Sequence, residues 1–221
     1  MRSRAVLLGS MLLLACSGGE ADAPVVPDAA ELTRSLIEDG PHQTVTLALG
    51  ELGEIEIELL PELAPETVHN FLQLAEAGFF TGTTFHRVIP GFMVQGGCPN
   101  TKNLDPRDDG DGSPGYEIRD EFSEMPHLRG VVSMANDGSR NAAGSQFFIV
   151  QEDSRHLDGR YSAFGRVVSG MEVVDAITKL ELDTYGRYGP PNRPYPVDAR
   201  VSEVRLREPR EDGVQEHVAT R

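Results

Sequence analysis

Between residues 44 and 59 apolar side chains recur at every second position twice over. Val45, Leu47 and Leu49 form the first set, and Ile55, Ile57 and Leu59 the second, interleaved with Glu54, Glu56 and Glu58. A period of two puts the apolar set on one face and the glutamates in water, so these are half-buried strands. Gly50-Glu51-Leu52-Gly53 lies between them and suits a tight antiparallel turn, because glycine reaches positive φ without strain. The folded part therefore starts near Gln43 with a β-hairpin.

Further strand-like runs follow at 84–88, 92–96, 131–135, 147–150, 163–168 and 200–207. In the last, Val197, Ala199 and Val201 share one phase while Val204 and Leu206 share the other, which predicts a bulge near Ser202 and Glu203. Two helices interrupt the strands. Pro65 suits a first helical residue ahead of Val68, Phe71, Leu72 and Ala75, with Gly78 to end the element. Ser169-x-x-Glu172 reads as a capping box opening a second helix through Val173, Val174, Ile177 and Leu180. About eight strands and two separated helices predict a mainly β fold, an antiparallel barrel or sandwich.

The N-terminus has a different character. Met1-Arg2-Ser3-Arg4 is a short basic segment, and the apolar run from Ala5 to Leu14 is too brief to span a bilayer. It ends in Leu13-Leu14-Ala15-Cys16, which resembles a bacterial lipobox. That resemblance implies cleavage before Cys16 and acylation of its thiol, anchoring the chain to a lipid bilayer in the bacterial cell envelope, facing the periplasm. Two or three acyl chains suffice for stable anchoring, at about 0.8 kcal/mol per buried methylene. Residues 1–15 are thus expected to be a lipoprotein signal peptide and 16–42 an acylated linker, Pro-rich, small and acidic after Cys16. Within it, Leu32, Leu36 and Ile37 have the spacing of a helical turn. Residues 43–208 form the globular domain and 209–221 a charged tail.

Without Arg2 and Arg4 the chain carries 18 basic against 35 acidic residues, a net charge of −17. Such a surface repels phosphate backbones and anionic headgroups, which excludes nucleic-acid binding as the leading function. The only other cysteine, Cys98, has no intramolecular partner once Cys16 is acylated, so no disulfide is expected. No heptad or large apolar stripe suggests self-association, and a monomer is expected.

Residues 84–97 read Thr-Phe-His-Arg-Val-Ile-Pro-Gly-Phe-Met-Val-Gln-Gly-Gly, two strands about a turn that place Arg87 beside large apolar side chains and the Gln95 amide. Alternation sets Phe85, Arg87 and Ile89 on one face and His86 and Val88 on the other. With Ser133-Met134-Ala135-Asn136 and Gly144-Ser-Gln-Phe-Phe-Ile-Val150, this stretch resembles the active face of the cyclophilins, the cyclosporin-binding class of peptidyl-prolyl cis/trans isomerase. The resemblance runs from roughly Thr44 to Leu206. It implies a closed eight-stranded barrel capped by the two helices, proline-containing polypeptides as substrates and no cofactor.

Isomerising an X-Pro bond means weakening an amide resonance that resists rotation by about 18–20 kcal/mol. A cation or strong donor aimed at the prolyl nitrogen or the adjoining carbonyl does this without covalent chemistry, provided an apolar pocket grips the ring. Arg87 is the candidate donor, since guanidinium stays charged and holds its N–H groups in a fixed plane. Phe92, Met93 and Phe148 suit the pocket, because aromatic rings and a thioether accept a pyrrolidine without directional demands. Gln95 and Gln146 supply a polar rim. By resemblance, Gln95 orients Arg87, Ala135 and Asn136 present backbone groups to the substrate, and Leu157 and Tyr161 close the pocket.

The chain departs from the family at two places. His156 stands where many members carry tryptophan, and Tyr161 where many carry histidine. Since that tryptophan helps hold cyclosporin, weak cyclosporin binding is expected. The departures also keep open a non-catalytic module that binds proline-containing segments, and an anchored scaffold acting through its acidic loops. Asn100 to Gly115 is an acidic, Gly-rich loop that begins like a calcium loop at Asp109-x-Asp111-x-Ser113 but has Pro114 where glycine is required, so it is expected to be a solvated loop without metal. Residues 185–196 read as an extended surface loop.

Overall fold

The computed structural model of the protein describes residues 42–103, 105–182 and 198–207. The expected signal peptide, Cys16, the expected linker up to residue 41, the expected loop at 185–196 and the expected tail lie outside them. Eight strands make one antiparallel sheet: β1 (Thr44–Ala48), β2 (Glu54–Leu59), β3 (Arg87–Ile89), β4 (Met93–Gly96), β5 (Val131–Met134), β6 (Phe147–Val150), β7 (Ala163–Ser169) and β8 (Glu203–Arg207). Their order across the sheet is β3-β4-β6-β5-β7-β2-β1-β8. Helices α1 (Pro65–Glu76) and α2 (Met171–Ile177) are the two expected from sequence.

The opening hairpin forms as its periodicity requires, with Val45 opposite Ile57 and Leu47 opposite Ile55, all fully buried. On the other face Glu58 pairs with Arg166 at 2.5 Å and Glu54 with Arg205. The glutamate stripe thus meets an arginine of the adjacent strand β7 and one of β8, which lies beyond β1.

The curled sheet does not close into the barrel expected from resemblance. Strands β3 and β8 are its two edges and share no ladder. The chain ahead of each makes one antiparallel bridge, Thr84 to Arg200, with Phe85 N–H donating to the Ala199 carbonyl. The β1–β8 ladder runs in unbroken register from Ala48–Glu203 to Thr44–Arg207, so the bulge expected near Ser202 and Glu203 is not in it; the chain changes partner there instead. Ala199 and Val201 are buried at this seam, Ser202 and Glu203 are both exposed, and from Glu203 onward the strand pairs with β1 instead. The chain thus serves two neighbours in succession, the seam up to Val201 and β1 from Glu203, and zips continuously to neither edge.

The interior holds one large cluster in which Phe71 of α1 meets Phe80, Phe147 and Phe164 at centroid distances of 4.8, 5.4 and 5.0 Å. Val173, Val174 and Ile177 bring α2 to the same cluster. Helix α1 ends with Gly78 N–H donating to the Ala75 carbonyl and Phe79 N–H to that of Leu74, the paired bonds of a Schellman motif. The capping box expected at Ser169 does not form. Ser169 is still in β7, and the N-cap is Gly170 at φ 94°, a conformation that only glycine adopts cheaply and that lets the chain leave the strand directly into the helix.

Candidate active site

A second apolar cluster lies on the opposite side of the sheet, built from Leu60, Met93, Met125, Val131, Phe148 and Val150, with Ile89, Phe92, Ala135, Leu157 and Tyr161 against or within it. This explains why all four residues of β6 are buried: Phe147 and Ile149 face the interior, Phe148 and Val150 this outer cluster. Directly paired residues share a face, so the register defines one row across four strands: Arg87, Gln95, Phe148 and Ser133. Phe85 does not share that face, contrary to the alternation. It precedes β3, bonds to the seam at Ala199, and points into the interior cluster against Phe147 at 6.0 Å.

Along the rim runs a chain of amides. Arg87 Nη1 donates to Gln95 Oε1 at 3.3 Å and lies 3.9 Å from Met93 Sδ. Gln95 Nε2 donates to Gln146 Oε1 at 3.0 Å, and Gln146 Nε2 donates to the Gly110 and Gly112 carbonyls at 2.7 and 2.9 Å. Each amide is fixed at both ends, so its orientation is set before any substrate arrives. Half-burial lowers the Arg87 pKa, opposed by the nearby Tyr161. The guanidinium keeps its charge, but with part of its water gone it acts more strongly on whatever enters.

Next to Arg87 opens a cavity of about 60 Å³ lined by Phe92, Met93, Gln95, Ala135, Asn136, Phe148, Leu157 and Tyr161. Phe148 and Tyr161 meet edge to face at 5.3 Å and 90°. Nine of the eleven residues singled out from sequence thus surround one hole. Gln146 lies just outside it, in a larger polar cavity of about 430 Å³ that shares Gln95, Ala135 and Asn136. His156 does not line the hole either; its exposed ring lies against Phe92 at 5.3 Å. Ala135 N–H already donates to the Gln146 carbonyl at 2.9 Å, so any offer from Ala135 to a substrate falls to its carbonyl. The Asn136 side chain accepts from Gly138 N–H at 3.1 Å.

Two contributions were invisible in the sequence. The 100–115 loop is not simply solvated: its Gly110 and Gly112 carbonyls anchor Gln146, and Gly110 N–H donates to the buried Cys98 sulfur at 3.2 Å. Among the described residues no group of three or more His, Cys, Asp or Glu is arranged to hold a metal ion. The second contribution is a buried network of His127, Ser133 and Asp158 beneath Phe148 and Tyr161. No local pattern around His127 signals it, because its partners lie 6 and 31 residues away.

The comparisons with known proteins agree with this geometry. The family model of the cyclophilin type peptidyl-prolyl cis-trans isomerases matches residues 44–202. Peptidyl-prolyl cis-trans isomerase B of Bacillus subtilis is 51% identical over 121 residues, covering 54% of this chain and 79% of that one. A peptidyl-prolyl cis-trans isomerase of Synechococcus elongatus is 50% identical over 142 residues, covering 61% and 92%. A crystal structure of a cyclophilin type isomerase from Cryptosporidium parvum superposes with a TM-score of 0.63 at 28% identity, over 76% of this chain and 98% of that one. A second structure of that protein, in the presence of the dipeptide Ala-Pro, gives the same score over 75% and 99%. This chain belongs to the cyclophilin-type peptidyl-prolyl cis-trans isomerases and has their isomerase function.

Proposed function

We propose that the enzyme rotates X-Pro bonds without covalent chemistry, in exported proteins that fold at the cell envelope. The prolyl ring of the substrate occupies the hole between Phe92, Met93, Phe148, Leu157 and Tyr161, and Arg87 directs its guanidinium at the prolyl nitrogen or the adjoining carbonyl. A donor to the prolyl nitrogen stabilises the twisted state, where the lone pair is localised on nitrogen, more than either planar state, where it is shared with the carbonyl, so the contact lowers the barrier. About 5 kcal/mol of such differential stabilisation turns tens of seconds into milliseconds. The observation that carries this reading is the fixed, half-buried Arg87 at the mouth of an otherwise largely apolar hole. Isomerisation of a short X-Pro peptide by the full-length protein in detergent, with and without Arg87→Ala, is the test. Undiminished acceleration by the folded variant refutes it.

Lipid attachment at Cys16 supplies the location: residues 1–15 direct export, 16–42 tether the domain, and the domain at 43–208 faces the periplasm. The lipobox-like end of the apolar run and the acidity of the linker support this reading. Labelling with a radioactive fatty acid should mark the wild type and not Cys16→Ala; equal labelling of both removes the anchor.

A further inference from the structure

Behind the hole lies a chain of three polar side chains that does not open onto it. His127 and Ser133 are 1% and 0% exposed. His127 Nε2 lies 2.9 Å from Ser133 Oγ and Nδ1 lies 3.1 Å from Asp158 Oδ1. The His127 main-chain N–H donates to the same carboxylate oxygen at 2.8 Å, and Arg155 Nε donates to the other at 2.5 Å. The order of groups is that of a hydrolase triad, but a serine with no exposed surface attacks nothing. The carboxylate only accepts, so Nδ1 carries the proton and Nε2 accepts from the Ser133 hydroxyl. A neutral imidazole completes both bonds.

The ring itself touches the walls of the hole. It stacks under Phe148 at 6.1 Å and 20°, and meets the edge of Tyr161 at 6.4 Å and 74°. Ser133 stands opposite Phe148 in the β5–β6 ladder. Asp158 caps the short 3₁₀ turn at Arg155–Leu157, and Ser154 N–H donates to the His127 carbonyl at 2.7 Å. Phe148, Leu157 and Tyr161 reach the hole from a strand, a turn and the stretch before β7; His127 stacks on Phe148, meets Tyr161 edge-on, and is bonded to Ser154 and Asp158 at the two ends of the turn that carries Leu157.

We propose that His127 is a positioning residue of the isomerase, holding the rings of Phe148 and Tyr161 and the Leu157 turn in the arrangement that grips a prolyl ring. It does so without touching substrate. The inference rests on the reading of the pocket given above. Apolar packing alone leaves an aromatic wall free to tilt, whereas directional bonds at both ends of the imidazole fix the plate on which Phe148 rests. Misplacement of a reacting geometry by about 1 Å costs on the order of 100-fold in rate.

The test uses the full-length protein in detergent, with kcat/KM on an X-Pro peptide referred to the folded fraction, and the Phe148–Tyr161 ring contact read by nuclear Overhauser effects. His127→Gln removes the plate; Asp158→Asn keeps shape and weakens the anchor. The expected losses are about 10- to 100-fold for His127→Gln and about fivefold for Asp158→Asn, the kinetic equivalent of one ordinary hydrogen bond. Both come with a weakened ring contact. If His127→Gln fails to fold, Asp158→Asn decides. Wild-type kcat/KM and an intact ring contact in the folded variants overturn the proposal. Phe148→Ala in the same assay separates the two readings: impaired Phe148→Ala beside fully active His127 and Asp158 variants defeats the positioning role alone. Fully active Phe148→Ala defeats the pocket and the positioning role together.

Discussion

Arg87 and Gln95 face each other across the β3–β4 ladder, and the guanidinium donates to the amide at 3.3 Å while the same amide donates onward to Gln146 at 3.0 Å. On the proposed reading of the pocket, Gln95 acts on the reaction through Arg87. Gln95→Ala should lower kcat/KM by about tenfold, the worth of one hydrogen bond to a charged group, and Arg87→Ala by roughly 100-fold or more. Once Arg87 is gone, Gln95→Ala should cost little more, because the two act as a unit. Kinetics of both single variants and the double variant check this; losses that simply multiply would show that Gln95 has a separate role.

Most of this site was legible because it sits on short strands whose pairing follows from local pattern. The alternation around Arg87, the turn at Pro90–Gly91 and the Gln95 amide are close in sequence, so a hairpin brings them together. The interior face of the opening hairpin was equally open to reading. What escaped were bonds between distant segments: the carbonyls of Gly110 and Gly112 on Gln146, and Asp158 on His127. The Phe85 face was misread because alternation holds only within a strand, and β3 begins at Arg87. Barrel closure was an inference from resemblance, and it failed where the chain changes partner at Ser202; the phase change visible in the sequence marked that place, but was read as a bulge that the β1–β8 register does not contain.

Helix α1 has no side-chain cap of its own, with Ala64 at the N-cap and Pro65 after it. Glu121, more than fifty residues downstream, takes that role: its carboxylate accepts from Glu66 N–H at 3.0 Å and from Thr67 N–H and Oγ1 at 2.7 Å. The negative charge also complements the helix dipole. Glu121→Ala should cost about 1–2 kcal/mol of stability and Glu121→Gln less, read as a lower urea midpoint with unchanged slope. An unaltered midpoint for Glu121→Ala would mean that water caps the helix equally well.

Burial lowers the His127 pKa, with the bond to Asp158 opposing it only in part. The unfolded chain takes up a proton near the ordinary imidazole value of about 6.5, while the native state resists it. Native stability from this group is therefore complete above about pH 6.5 and falls as pH drops through that value toward the lowered native one. Urea midpoints at about pH 7.5 and about pH 5.5 should show this loss in the wild type, and His127→Gln should show less of it. Identical pH dependence in both proteins would assign the loss between those two pH values to another group, and not to Asp158, whose carboxyl is held below the usual carboxylate range and gains its proton only at lower pH. Burial raises that carboxyl, and the bonds from Arg155 and His127 outweigh it.

His156 lies outside the hole beside Arg87, with its exposed ring against Phe92 at 5.3 Å and 32°. Many cyclophilins place a tryptophan here, and that indole helps to hold cyclosporin. An imidazole presents less apolar area and has an exposed position, so it excludes less water from a large apolar ligand. Cyclosporin should therefore bind weakly, and His156→Trp should tighten it by about tenfold or more, since burying an extra 50 Å² or so of apolar surface is worth about 1.3 kcal/mol. Turnover of a short X-Pro peptide should change less than twofold or so, because His156 does not line the hole proposed to take the prolyl ring. Titration calorimetry with cyclosporin and peptide kinetics on the same two proteins separate these effects. Tight drug binding by the wild type, or a tryptophan variant that gains no affinity, would show that the drug is held by Phe92, Phe148 and their neighbours alone and that position 156 has no part in it.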